Sequence, residues 1–322
     1  MRKLLYALLG LLIVLIVSPI AVIAFNGPAV PPTMASMTAP ASQVHPEFPS
    51  PRTFKARDEA SLQYYAYPAA SDRVAVLVHG SAGPGTSMHA LAEALRAAGV
   101  TAYVLDIRGH GGSGRRGDID YVGQLDDDLA DFVAQLGPRS SGETRTLIGF
   151  SAGAGFAIRF AGGPQGFLFD RYIFLAPILP GAPTLRANAG GWTNIALPRL
   201  LTIALLDRLN VHWFDGFPVI SYAIPPEASQ AMTGSYSFRL MMNFGAGRDY
   251  EAYLKNIRRP AIVLVGDADE QVVAGQFAPL LERLGVKIPV TVVANMTHAD
   301  MIREPVAFQA AIRAISPQSH HE

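Results

Sequence analysis

Thr146-Leu147-Ile148-Gly149-Phe150-Ser151-Ala152-Gly153 is the stretch on which the reading of this chain turns. Thr146, Leu147 and Ile148 form an apolar, β-branched run that reads as a buried strand, and residues 152–161 read as a helix. Between them lies Gly-x-Ser-x-Gly. A serine in a sharp strand-to-helix turn sits in strained backbone, and a side chain at either flanking glycine would collide with neighbouring backbone. The start of the helix directs free N–H groups and a positive dipole end toward the serine oxygen. The plain alternative is a glycine-rich turn without chemistry. The five-residue pattern alone cannot exclude that, but the strand before it and the helix after it favour a nucleophile at Ser151.

Outward from this turn the chain alternates between two kinds of segment. Short β-branched runs at residues 62–67, 74–78, 102–106, 145–150, 172–176, 261–265 and 290–293 read as strands. Helical patterns occupy residues 87–98, 121–136, 152–161, 273–284 and 305–315. Alternation with doubly buried strands predicts an α/β fold, with a mostly parallel sheet and helices on both faces. Residues 179–256 break the rhythm. They hold a helical run at 195–209, many Pro and Gly, both tryptophans, and no segment that reads clearly as a strand. This stretch, about residues 180–256, is expected to be an insertion that caps the C-terminal edge of the sheet.

A serine hydroxyl needs a base, and the base needs an orienting group. Of the eight histidines, His298 follows the last expected strand in Asn295-Met296-Thr297-His298, which places it on the same sheet edge as Ser151. The acid belongs on that edge too. The loop after residues 172–176 contains no carboxylate, whereas Gly266-Asp267-Ala268-Asp269-Glu270 follows residues 261–265. Asp269 is chosen on loop reach, with Asp267 second; all three acids could also serve as ordinary turn carboxylates capping the next helix. An oxyanion needs two backbone N–H donors. Ala152 supplies one, and His79-Gly80-Ser81-Ala82-Gly83 supplies the other, from Ser81 first and Ala82 next. His79 is expected to hydrogen-bond within its loop, and Asp106 and Arg108 to organise theirs.

These features occur together and in order: His79-Gly80, Asp106-x-Arg108-Gly109-His110-Gly111-x-Ser113, the Gly149–Gly153 turn, Gly266-x-x-Asp269 and Met296-Thr297-His298. The set resembles the α/β-hydrolase family of monoacylglycerol lipases, lysophospholipases and serine aminopeptidase-like enzymes, over about residues 60–315. The resemblance implies the α/β-hydrolase fold with a cap after the sixth strand, and it favours Asp269 over Asp267. It does not reach the substrate, because the insertion matches no single member.

Composition narrows the rest. Half of the 322 residues are hydrophobic and 16% are charged, as in a globular enzyme. Lys plus Arg and Asp plus Glu are 26 each, and no basic block occurs, which argues against a nucleic-acid partner. With no cysteine, disulfides, thiolate catalysis and cysteine zinc sites are excluded. No metal and no organic cofactor is implied by the expected chemistry. Arg2 and Lys3 precede an uncharged stretch, residues 4–25, that would span roughly 33 Å as a helix, against about 30 Å of bilayer hydrocarbon. The segment within residues 1–25 reads as a transmembrane anchor or, with Val22-Ile23-Ala24 as cleavage site, a signal peptide. Either reading puts the catalytic domain outside the cytoplasm, membrane-anchored or secreted. Residues 26–50, rich in Pro, Ala and Ser, read as a tether, and residues 51–322 as the hydrolase domain.

The expected function is hydrolysis of carboxylic esters with an acyl or lipid-like chain, since Trp192, Trp213, Phe214, Phe217, Tyr222, Phe238 and Phe244 suit an apolar small-molecule substrate. Those aromatics would equally serve to pack the insertion on the sheet. An aminopeptidase-like amide hydrolase and a non-catalytic membrane-tethered binding module are the alternatives. Oligomeric state is not legible.

Overall fold

The computed structural model describes residues 2–34 and 48–315. Its strands are β1 (Arg52–Lys55), β2 (Ser61–Tyr67), β3 (Arg73–Val78), β4 (Thr101–Leu105), β5 (Thr144–Phe150), β6 (Arg171–Leu175), β7 (Thr193–Ile195), β8 (Pro218–Tyr222), β9 (Ser235–Ser237), β10 (Ala261–Gly266) and β11 (Val290–Val293). Eight of them form one sheet in the order β1-β2-β4-β3-β5-β6-β10-β11. The pairs β1/β2 and β2/β4 are antiparallel, and every other neighbour in that sheet is parallel. The sheet is therefore mostly parallel, as the alternation predicts.

The helices are α1 (Arg2–Phe25), α2 (His89–Ala97), α3 (Gln124–Gln135), α4 (Ala152–Gly162), α5 (Leu197–Arg208), α6 (Phe238–Asn243), α7 (Tyr250–Asn256), α8 (Phe277–Leu284) and α9 (Pro305–Ile315). Successive strand residues face opposite sides of the sheet, so the core splits in two. On one side Leu77, Val104, Ile148 and Ile173 meet Leu91 and Leu95 of α2 and Phe308 and Ala311 of α9. On the other, Val76, Leu147, Phe174 and Val263 meet Phe132 of α3, Phe156 and Phe160 of α4, and Phe277 and Leu281 of α8. Burial on both faces is why these strands read as continuous apolar runs rather than alternating ones.

The segment between β6 and β10 departs from expectation. Where no strand was read, β7, β8 and β9 form a small antiparallel sheet. β7 and β9 are only three residues long, too short to show a period of two. The helix expected from residue 121 begins instead at Gln124, because Gly123 takes the left-handed conformation at φ 109°.

At the N-terminus α1 runs unbroken through Pro19. Its end is held: Ile23 is buried against Leu200, Ile203, Val219 and Phe238, and Arg199 Nη2 donates to the Ala24 carbonyl at 3.3 Å. The first part of the expected tether continues along β8, where Met34 N–H donates to the Ala223 carbonyl at 3.4 Å and the Ser221 hydroxyl donates to the Ala29 carbonyl. The remainder, residues 35–47, lies outside the described residues, as do several α1 side chains, among them Leu8, Leu9 and Leu12. Among the described residues no helix is long and apolar enough to cross a membrane.

Candidate active site

β5 delivers Ser151 to the C-terminal edge of the sheet, at φ 57° and ψ −121°, and α4 begins at the next residue. A side chain at such a φ is strained and persists only where its surroundings over-determine it. Here they do. A Cβ on Gly149 would lie 2.2 Å from the Gly153 carbonyl oxygen, and one on Gly153 would lie 2.3 Å from the His79 carbonyl oxygen. The turn closes only with glycine at both positions. The Ser151 carbonyl accepts from the N–H groups of Ala154, Gly155 and Ile178, which fixes the turn from its far side.

His298 and Asp269 arrive from the loops after β11 and β10. His298 Nε2 lies 2.9 Å from Ser151 Oγ, and Nδ1 lies 2.8 Å from Asp269 Oδ2. All three residues are buried, at 2% exposure for Ser151, 0% for His298 and 3% for Asp269. The other Asp269 oxygen accepts the N–H groups of Gln271 and Val272 at 2.8 and 2.9 Å. Those bonds hold the orientation of its side chain. A carboxylate there keeps the imidazole proton on Nδ1, so Nε2 faces the serine as an acceptor. The two loops are locked together: Gly266 lies so close to Met296 that a Cβ would meet its carbonyl oxygen at 2.0 Å, and Ala268 N–H donates to that same carbonyl at 3.1 Å. Glu270 Oε2 accepts the His298 N–H at 3.0 Å. Asp267, the second candidate, is turned away. Its Oδ1 accepts the Asn295 N–H at 2.6 Å.

The loop after β3 lies against the serine. A Cβ on Gly80 would stand 3.0 Å from the Ser151 Cβ. Among the described residues the N–H groups of Ser81 and Ala152 donate no hydrogen bond, whereas Ala82 N–H is given to Tyr236 Oη at 2.6 Å. Ser81 and Ala152 are thus the two donors left open beside Ser151. His79 stays within the loop framework: Nδ1 bonds the Gly80 carbonyl at 2.8 Å, and Nε2 accepts the Ile107 N–H at 3.2 Å. Burial lowers its imidazole from the ordinary value, and it lowers that of His110 further, with the neighbouring His79 adding to the effect. Asp106 gathers the N–H groups of Gly85 and Gly112, and Arg108 forms a two-pronged pair with Asp128 at 2.8 and 2.7 Å.

Several aromatic residues of the segment between β6 and β10 come down on this edge. Trp192 Nε1 donates to Ser81 Oγ at 2.9 Å, and Phe244 packs on His79, His110 and Tyr236. Trp213 is 87% exposed and takes no part. Sequence reasoning missed Tyr236, which lies 154 positions from its partner Ala82 and carries no motif.

Two other features do not belong to this site. A cleft of about 750 Å³ lined by Arg171, Arg258, Arg259, Lys287 and Arg313 opens where β6, β10 and β11 begin, at the opposite end of the strands. Among the described residues, Asp207 in the last turn of α5 and His212 and Asp215 just beyond it form a group that could hold a metal ion. His212 Nδ1 lies 3.0 Å from Asp207 and 3.1 Å from Asp215, between the two carboxylates.

The comparisons agree with this geometry at the level of fold. The structure is similar to a monoacylglycerol lipase from Paleococcus ferrophilus, at TM-score 0.59 and 20% identity over 79% of this chain and 98% of that one. It is similar to a soluble variant of the Saccharomyces cerevisiae monoglyceride lipase with a substrate analogue, at TM-score 0.63 and 15% identity over 85% and 97%. A Bacillus anthracis bromoperoxidase follows at 0.56 and 19%, over 83% and 99%. No curated protein matches the sequence. The sequence profile of the serine aminopeptidase S33 family matches residues 69–305, most of the chain, and the protein therefore belongs to that family of α/β-hydrolases.

Proposed function

We propose that this hydrolase cleaves carboxylic esters through an acyl-enzyme on Ser151. The observation that carries the reading is the buried chain Asp269–His298–Ser151, closed at 2.8 and 2.9 Å. His298 Nε2 takes the hydroxyl proton as Ser151 Oγ attacks the carbonyl carbon. Asp269 holds the resulting imidazolium, and His298 passes the proton to the departing alcohol. The N–H groups of Ala152 and Ser81 receive the oxyanion. Water then repeats the sequence on the acyl-enzyme and frees the acid.

The segment between β6 and β10 acts as a cap that sets the substrate. Buried Trp192, Tyr222 and Phe244 make its underside apolar. Three of its five acids are engaged elsewhere, Asp207 and Asp215 with His212 and Glu251 with Arg283, and the other two, Glu227 and Asp249, are exposed and far apart in the chain. An aminopeptidase would need clustered free acids for a substrate ammonium, so an ester with an acyl or aryl chain is favoured over a peptide. The family's description keeps amides as the second reading. The two lipases among the similar structures accord with a lipid-like ester.

The chain is further proposed to be tethered through residues 4–25, with its catalytic domain exported. Support comes from the uncharged run after Arg2 and Lys3 and from the continuity of α1 with the cap at Ile23.

A fluorophosphonate probe should label the wild type and not Ser151→Ala. On a panel of p-nitrophenyl esters, monoacylglycerols, lysophospholipids and aminoacyl amides, Ser151→Ala should lose on the order of 10⁴–10⁶ in turnover. An alanine variant that kept substantial turnover on every substrate would remove Ser151 from the mechanism.

A further inference from the structure

We infer that the cap builds the oxyanion hole: Tyr236 and Trp192 are positioning residues that hold the loop presenting the Ser81 N–H. The inference rests on the hydrolase reading above. Ala82, next to that donor, is a buried non-glycine residue in the left-handed region at φ 64°. Such a conformation persists only where neighbours impose it. Both of its backbone groups are tied to the cap. Ala82 N–H donates to Tyr236 Oη at 2.6 Å, and its carbonyl accepts the Thr233 N–H at 2.8 Å. The Ser81 side chain is tied as well, its Oγ accepting from Trp192 Nε1 at 2.9 Å. Three bonds thus descend from the segment between β6 and β10 onto two consecutive residues, and the Ser81 N–H is the group they leave open.

The direction of the Tyr236 bonds is set by what lies behind it. Tyr236 Oη is 2.5 Å from His110 Nε2, and His110 Nδ1 is 3.2 Å from the Ile107 carbonyl. Nδ1 also lies 3.4 Å from the Arg108 carbonyl, and a nitrogen facing two acceptor oxygens carries the proton, so Nε2 accepts from the tyrosine hydroxyl. The Tyr236 proton is then committed to His110, and its oxygen is free to accept from Ala82. Burial keeps His110 neutral and preserves this polarity. His110 in turn belongs to the loop after β4. The hydroxyl therefore joins cap, oxyanion loop and core at one atom.

An oxyanion donor acts by being aimed before the charge forms. Release of Ala82 would let φ relax and would turn the Ser81 peptide away. The loss would fall on the chemical step and not on substrate binding.

Tyr236→Phe tests this, since it keeps the ring that packs on Tyr222 and Phe244 and removes only the hydroxyl. In the full-length chain kcat on a p-nitrophenyl ester should fall about 10- to 100-fold, short of the 10²–10³ of a deleted donor. KM should stay within about threefold, and the affinity for a trifluoromethyl ketone, which forms a tetrahedral adduct on the serine, should fall in parallel with kcat. A folded Tyr236→Phe with kcat within about twofold of wild type would overturn the inference. A rise in KM alone would do the same, because it would show that the cap only shapes the pocket. Should Tyr236→Phe fail to fold, Ser81→Ala, which removes the Trp192 acceptor and keeps the backbone donor, carries the test with the same split and the same thresholds. Turnover retained in Ser151→Ala would defeat the reading of Ser151 as nucleophile, on which this inference rests. Turnover lost there but kept in Tyr236→Phe would defeat only this inference.

Discussion

At Asp267 a carboxylate oxygen accepts the Asn295 N–H; two residues on, Asp269 accepts two N–H groups on one oxygen and faces the imidazole with the other. The roles differ although the residue type and loop are the same. Asp269→Asn should cut kcat by about 10⁴, because an amide in that place can favour the wrong histidine tautomer. Asp267→Asn keeps an oxygen for the Asn295 N–H and should cost less than about tenfold. Parallel steady-state assays on one ester decide it, and a larger loss at Asp267 would reverse the assignment. This part of the site was legible in the sequence, because Ser151, Asp269 and His298 each follow a strand end and all parallel strands end on one edge. Tyr236 was not legible. It acts through a single hydroxyl on a three-residue strand, and nothing local marks which backbone group that hydroxyl will meet.

The turn between β5 and α4 shows how an element is fixed by what it cannot accommodate. Gly149 and Gly153 are there because the helix start presses on the strand end and on the loop after β3. Gly153→Ala would drive a Cβ into the His79 and Val78 carbonyls, backbone that cannot rotate away. A cost of about 3 kcal/mol is expected, at the upper end of overpacking, or a fall in Tm of about 6–12 °C. Gly275→Ala serves as the control, since nothing lies within 4 Å of its Cβ position and its change should stay within about 0.5 kcal/mol. Calorimetry on the two variants checks the pair, and equal Tm values would mean that the turn yields to a methyl group at no cost. The same scale explains which elements the sequence revealed. The long buried strands and the helices after them announce themselves by composition. β1, β7 and β9 do not, because three or four residues carry no readable period, and their pairing is decided by partners distant in the chain.

At the scale of the whole molecule, the question is what the outer side of the segment between β6 and β10 faces. In α5, Leu200 and Ile203 turn inward onto Ile23 of α1, while Leu197, Leu201 and Leu205, with Leu209 just past the helix end, recur every fourth residue and are each at least half exposed. That spacing puts them along one face. Trp213 stands out beyond them, almost wholly exposed. The apolar N-terminal helix thus ends against the very helix that carries this stripe, and the two surfaces adjoin. With 26 basic and 26 acidic residues, the chain has no net charge to draw it to anionic lipid. Its attachment should therefore rest on apolar burial, and it should be insensitive to salt. The expected outcome is that full-length protein fractionates with membranes, retains its N-terminus and is not released by about 1 M salt, at which charge interactions are screened within about 3 Å. Mass spectrometry of the N-terminus completes the test. An exported soluble form beginning at Phe25 would establish cleavage after Ala24 and end the anchor reading. A soluble cytoplasmic form still carrying Met1 would end both the anchor and the signal readings, and would leave the stripe on α5 to be explained by a protein partner.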